Sequence, residues 1–242
     1  MPGEAEDERR RTMEAAVANG MEAARQSSRS TKRNMLLIVA IVVAVVIARQ
    51  SGYFGETYQG QPLERIPRTQ FDAELAALPL VPALDVANRG EQVVEFFDYR
   101  CAPCRTMAPV LQDILAQGAE MELVPIELPQ LGPESELAAR YALAASLQGG
   151  YAPFHRALMF STVPFTPEGL ADLGAALGLD PVRLAADAAG EQVSAALEAN
   201  RQLAASIGVA ATPAFVIGDI VVVGAIDEAS LLGLVAAAHE AQ

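Results

Sequence analysis

The chain has 242 residues and a formal net charge of −13, with 30 acidic against 17 basic side chains. That length holds one or two domains, and an acidic body argues against nucleic acid as a partner. Lysine occurs once, at Lys32, and the abundance of alanine reads as a compositional bias.

Residues 1–34 mix acidic and basic clusters with no sustained apolar face, which predicts a polar, largely disordered or weakly helical tail. Met35 to Ala48 is then fourteen apolar residues without interruption. That is short of the ~20 residues that cross a bilayer. A snorkelling Arg49 extends it to the interfacial aromatics Tyr53 and Phe54, so that 35–54 spans as a transmembrane anchor. The rivals are a cleavable signal peptide ending at Val46-Ile47-Ala48 and a buried core helix; the long polar leader disfavours the first, and nothing amphipathic marks the second. Arg29, Lys32 and Arg33 precede the run and Arg49 alone follows it. The positive-inside rule therefore puts the tail in the cytoplasm and everything beyond the span outside, at the inner membrane facing the periplasm or exterior. Residues 55–92, broken by Gly55, Gly60, Pro62, Pro67, Pro79 and Pro82, read as a linker and approach segment with at most a turn or more of helix near Phe71.

Val93 to Phe97 predicts a strand with Val93, Glu95 and Phe97 on one face. Glu95 is a carboxylate inside an apolar strand, where burial would raise its pKa; the alternative is an edge strand with Glu95 in water. The strand leads into Cys101-Ala102-Pro103-Cys104, which holds the only two cysteines of the chain. A helix predicted to about Gln117 places Cys101 at its N-terminus, where free N–H groups and the helix dipole favour a thiolate. Cys104, one turn on, can close or resolve a disulfide. A structural zinc site needs four ligands, and beside this one pair stand only the separate His155 and His239. A structural disulfide would close too small a loop to stabilise much. Inert core cysteines would be an odd filling for a strand-to-helix turn carrying Pro103. Pro109 is predicted to kink the helix, and Arg105 stands either beside the thiolate or in solvent.

Met121 to Leu128 predicts the next strand. A long helical stretch follows, Glu134–Leu147, Pro153–Phe160, Pro167–Leu177, Pro181–Ala189 and Glu191–Ile207, each bounded by Pro or Gly. His155 lies in it and reads as a surface or packing histidine. Thr212-Pro213 then opens the strand Ala214–Ile217, Gly218-Asp219 turns into Ile220–Val223, and Asp227 caps a last helix to about His239.

Cys101 to Pro109 resembles the thioredoxin active-site helix, including a proline five residues after the second cysteine. The order Glu95-Phe96-Phe97-Asp98-Tyr99, the Cys pair, Phe154-His155-Arg156-Ala157-Leu158-Met159 and Gly208 to Gly218 resembles the DsbA-type thiol:disulfide oxidoreductases, over roughly residues 90–240. The resemblance implies an α/β thioredoxin-like domain at 93–242 with a helical insertion at about 130–207. It implies that Cys101 and Cys104 form the redox-active disulfide, that Glu95 matches a family glutamate able to relay a proton, and that Pro213 is cis and, with Thr212, positions a substrate strand. The expected reaction is thiol–disulfide exchange on extracytoplasmic, cysteine-containing proteins, through a membrane redox partner and without cofactor or metal. Ala-Pro between the cysteines is nearer thioredoxin's Gly-Pro than the His-bearing pair of strong oxidants, so an intermediate potential is expected. The alternatives are a tethered reductase, a soft-metal carrier holding an ion such as Cu(I) on the Cys pair, and a scaffold without turnover.

Overall fold

The computed structural model describes residues 61–82, 84, 90–160 and 162–241. The tail expected at 1–34 and the span expected at 35–54 lie outside them. Among the described residues no helix is long and apolar enough to cross a membrane.

Five strands form one sheet: β1 (Gln61–Arg65), β2 (Glu91–Phe97), β3 (Met121–Glu127), β4 (Ala214–Ile217) and β5 (Ile220–Val223), in the order β1-β5-β4-β2-β3. β2 and β3 run parallel, joined by helix α2 (Ala102–Ala116); every other pairing is antiparallel. Val and Phe fill β2 because it lies between β3 and β4 and is covered on both faces. One face packs under α1 (Arg68–Ala76) and α7 (Glu191–Ser206): Val94, Phe96 and Val216 meet Phe71, Leu75, Leu203 and Ala204. The other packs under α2 and α8 (Glu228–Glu240), where Val93, Leu123 and Phe215 meet Met107, Leu111, Leu231 and Val235. Each large side chain so buried contributes about 1.5–3 kcal/mol.

The segment 55–92, expected as a linker, is corrected by this arrangement. Its described part supplies β1, paired with β5 through Gln61↔Val223 and Arg65↔Ile220, and α1. Pro62 suggested a break, but β1 is an edge strand, where a missing N–H is tolerated. Phe71 and Leu75, four apart, bury one face of α1. Arg68 fixes the helix by donating to the Gly218 carbonyl at 2.8 Å and pairing with the buried Glu91. The thioredoxin-like domain therefore starts about thirty residues before Val93.

The insertion comprises α3 (Pro133–Ser146), α4 (Tyr151–Phe160), α5 (Pro167–Ala176), α6 (Pro181–Ala188) and α7. Pro at the first turn starts α3, α5 and α6, and Thr166 and Asp180 cap the last two. Ala138, Ala139, Ala142, Ala144 and Ala145 of α3 are all buried, so at these positions alanine is a packing choice: its small side chain allows close approach on several faces.

Candidate active site

The β2–α2 turn is built on Asp98. Its side chain, buried among neighbouring loops, accepts from Arg100 N–H at 2.7 Å, Ser135 Oγ at 2.8 Å, and the N–H groups of Gln130 and Leu131 at 2.8 and 3.1 Å. Its carbonyl receives the Cys101 N–H. One carboxylate thus ties the loop after β2 to the loop after β3 and the start of α3. Nothing local in the sequence around Asp98 discloses this role.

Cys101 is the N-cap of α2, and its Sγ accepts from the Cys104 N–H at 3.3 Å. Both thiols are free and buried, Cys101 with 4 % of its surface exposed and Cys104 with none. A hydrogen bond from the Cys104 thiol draws the Cys101 pKa down to about 6 against the opposing effect of burial, with Thr212 and the Cys104 N–H helping. Burial first, and the bond it gives to Cys101 second, push Cys104 far above the usual thiol range. The two sulfurs are therefore unequal: Cys101 is largely thiolate at neutral pH and Cys104 is thiol.

Thr212 and Pro213 meet this pair from the other end of the chain. The Thr212–Pro213 peptide is cis, and Cys101 Sγ lies 3.3 Å from the Thr212 carbonyl oxygen. The Pro213 carbonyl accepts from Gly224 N–H at 2.7 Å, which holds the loop to the end of β5.

Glu95 lies on the central strand with 3 % exposure, so the edge-strand alternative falls away. Its Oε1 has no hydrogen-bond partner among the described residues. Burial first and the Cys101 charge second push its pKa up to about 8, and its charge in turn raises Cys104. At neutral pH Glu95 is mostly protonated.

Two further contacts near the site have no local sequence signal. Tyr151 Oη donates to the buried Glu127 Oε1 at 2.6 Å, and Tyr99 Oη lies 3.0 Å from His155 Nδ1. Burial pushes Glu127 up to about 7. The His155 ring stacks on Tyr151 with centroids 5.4 Å apart and meets Phe97 and Tyr99 edge-on, so it is a packing histidine as expected. Burial first and Arg156 second hold it down at about 3, so the ring is neutral, and its tautomer sets which partner donates in the contact with Tyr99. Arg105 reaches α4, donating to the Leu158 carbonyl at 2.8 Å, and so braces the active-site helix against the insertion. Among the described residues, no group of three His, Cys, Asp or Glu is placed to hold a metal ion.

Residues 92–236 match the family described as DSBA-like thioredoxin domain. The chain belongs to that family. It is a DsbA-like thiol:disulfide oxidoreductase, and DsbA-like proteins act on cysteine-containing substrates. Among solved structures it is similar to a thioredoxin-like oxidoreductase from Silicibacter pomeroyi DSS-3, 34 % identical, covering 71 % of this chain and 98 % of that one with a TM-score of 0.65. It is also similar to a periplasmic thioredoxin-like protein from Salmonella enterica serovar Typhimurium, 28 % identical, covering 73 % of this chain and 99 % of that one at 0.62. The thiol-disulfide exchange protein alpha-DsbA2 from Wolbachia pipientis is 25 % identical, covering 70 % of this chain and 92 % of that one at 0.62. No curated protein sequence matches the chain.

Proposed function

We propose that this oxidoreductase forms or shuffles disulfides in extracytoplasmic proteins through Cys101 and Cys104. The observation that carries the reading is the asymmetry of the pair, a thiolate at the helix cap beside Thr212 and a buried thiol one turn inside. In the oxidised enzyme a substrate thiolate attacks Cys101 Sγ, the Cys101–Cys104 bond breaks, and Cys104 leaves as a thiolate that takes a proton from Glu95. A second substrate thiolate then attacks the substrate sulfur of the mixed disulfide, and Cys101 leaves as its stable thiolate. Substrate is oxidised to a disulfide and the enzyme is reduced to the dithiol. Thr212, next to the cis bond, presents its backbone to an extended substrate segment.

The direction follows from the thiolate. A Cys101 pKa of about 6 lies between about 7 for thioredoxin and about 3.5 for DsbA. A more stable thiolate stabilises the reduced enzyme and raises its potential, so the expected value lies between about −270 mV and about −120 mV. Equilibration with glutathione measures it, and a value as low as thioredoxin's makes this a reductase that draws electrons from a membrane donor. Cys104→Ser should trap mixed disulfides with substrates and Cys101→Ser almost none; equal trapping by both refutes the assignment of roles.

The placement belongs to the same proposal. The apolar run at 35–48, its extension to Phe54 and its basic N-terminal flank support a single-pass anchor in the cytoplasmic membrane, with the catalytic domain outside and a membrane redox partner. Mass spectrometry of protein from its native membranes should find the N-terminus retained; a mature chain starting near Arg49 overturns the anchor.

A further inference from the structure

A cavity of about 220 Å³ lies between α2, α4 and the sheet, and neither cysteine lines it. Its walls are mostly apolar, with Leu111, Leu123 and Met159 among them. Four polar side chains, Glu95, Gln112, His155 and Arg156, interrupt this sleeve, and the two charged ones stand at its ends. At its buried end Glu95 contributes a carboxyl whose Oε1 has no partner. Its exposed lining includes Arg156 and Phe160, and these two also line a shallow trough running on towards Leu177. Arg156 makes no ion pair among the described residues, so its charge is available to a ligand. An unpaired buried polar atom is costly, and a convergent polar group inside an apolar pocket is the usual form of a small-molecule site.

The chemistry of the two ends selects the ligand. A hydroxyl both donates and accepts, so it pairs with the Glu95 carboxyl whether that group is protonated or ionised. A carboxylate suits Arg156, which would hold an anion on an otherwise acidic body. The body between them must be apolar and compact. An apolar cavity of about 150 Å³ holds benzene, so this one has room for one ring with a short chain, and the Met159 thioether favours an aromatic neighbour. We propose that this cavity is a binding site for a single-ring hydroxy-aromatic acid, with its ring between α2 and α4, its hydroxyl on Glu95 and its carboxylate on Arg156. Binding stands on the cavity alone. Its consequence rests on the relay proposed above: a ligand bonded to Glu95 competes for the carboxyl that protonates Cys104 and slows exchange without touching either sulfur.

The probe is para-hydroxyphenylpropionate, titrated calorimetrically into the reduced full-length protein. Saturable one-to-one binding is expected, about tenfold weaker for phenylpropionate, which lacks the hydroxyl, and for Arg156→Ala. It should be lost in Ala108→Leu, which fills the cavity. Because that variant could fail to fold, methyl NMR of the unmodified protein gives a second reading. The Met159 and Leu111 methyl signals should move with the probe, while those of the exposed Val182 stay still. No saturation by about 10 mM, equal affinity for the two acids, or shifts elsewhere than the cavity overturn the site. Binding in the cavity with an unchanged exchange rate leaves the site standing and sinks the relay.

Discussion

Glu95 and Asp98 are three residues apart, both buried, and placed in opposite ways. Asp98 is surrounded by four donors and joins two loops to a helix. Glu95 has an unpartnered oxygen, an apolar cavity and a titration near that of a thiol. Burial alone therefore does not tell what a carboxylate does. Donors around it make a structural tie, and their absence leaves a carboxyl whose pKa burial raises.

The largest expected effects are two changes of opposite sign. Asp98→Ala removes a buried acceptor of four hydrogen bonds and should cost about 3–5 kcal/mol in denaturant unfolding. Glu95→Gln should do the reverse, and in a pH-dependent way. The folded pKa of Glu95 is raised, from 4.5 to about 8, so the folded chain keeps a proton that the unfolded chain has lost. Its stability is fully present below pH 4.5 and falls as pH rises through about 8. Glu95→Gln abolishes that fall, gaining on the order of 4 kcal/mol above pH 8 and almost nothing below pH 4.5. Equal and pH-independent effects of the two substitutions would erase the contrast between the sites.

A smaller effect sharpens the comparison on the side of chemistry. Glu95→Gln should slow the exchange steps that protonate Cys104 by about 100-fold while leaving the thiolate titration of Cys101 in place. Stopped-flow turnover with a reduced peptide measures this, and an unaltered rate leaves Glu95 with no part in catalysis.

Both halves of the contrast were only partly legible in the sequence. Glu95 was noticeable as a lone carboxylate in an apolar strand, and the Cys pair because local spacing carries its geometry; Pro213 was legible only through the family resemblance, since its loop meets Cys101 across 111 residues. The insertion was legible because Pro and Gly punctuate it. Asp98 was not, since three of its four donors come from residues more than thirty positions later. Glu127 and Tyr151 met for the same reason, across 24 residues. The strand β1 was hidden by Pro62, which reads as a break unless the strand is known to lie at an edge.

The smallest effect concerns that last network. Tyr151→Phe removes the donor to Glu127 and should cost about 1–2 kcal/mol. The loss should grow as pH rises through 7, where Glu127 ionises and needs the hydroxyl most. A pH-independent loss would mean that Tyr151 contributes packing alone.

The central claim is that Cys101 is the reactive thiolate and Cys104 the sheltered thiol. The most direct measurement is the rate of iodoacetamide alkylation of the reduced protein as a function of pH. The rate should rise through a single transition near pH 6. That transition should vanish in Cys101→Ser and persist, moved to higher pH, in Cys104→Ser, because Cys104 supplies the strongest bond to the thiolate. A transition near the ordinary thiol pKa of about 8.5, or one that survives in Cys101→Ser, would contradict the account.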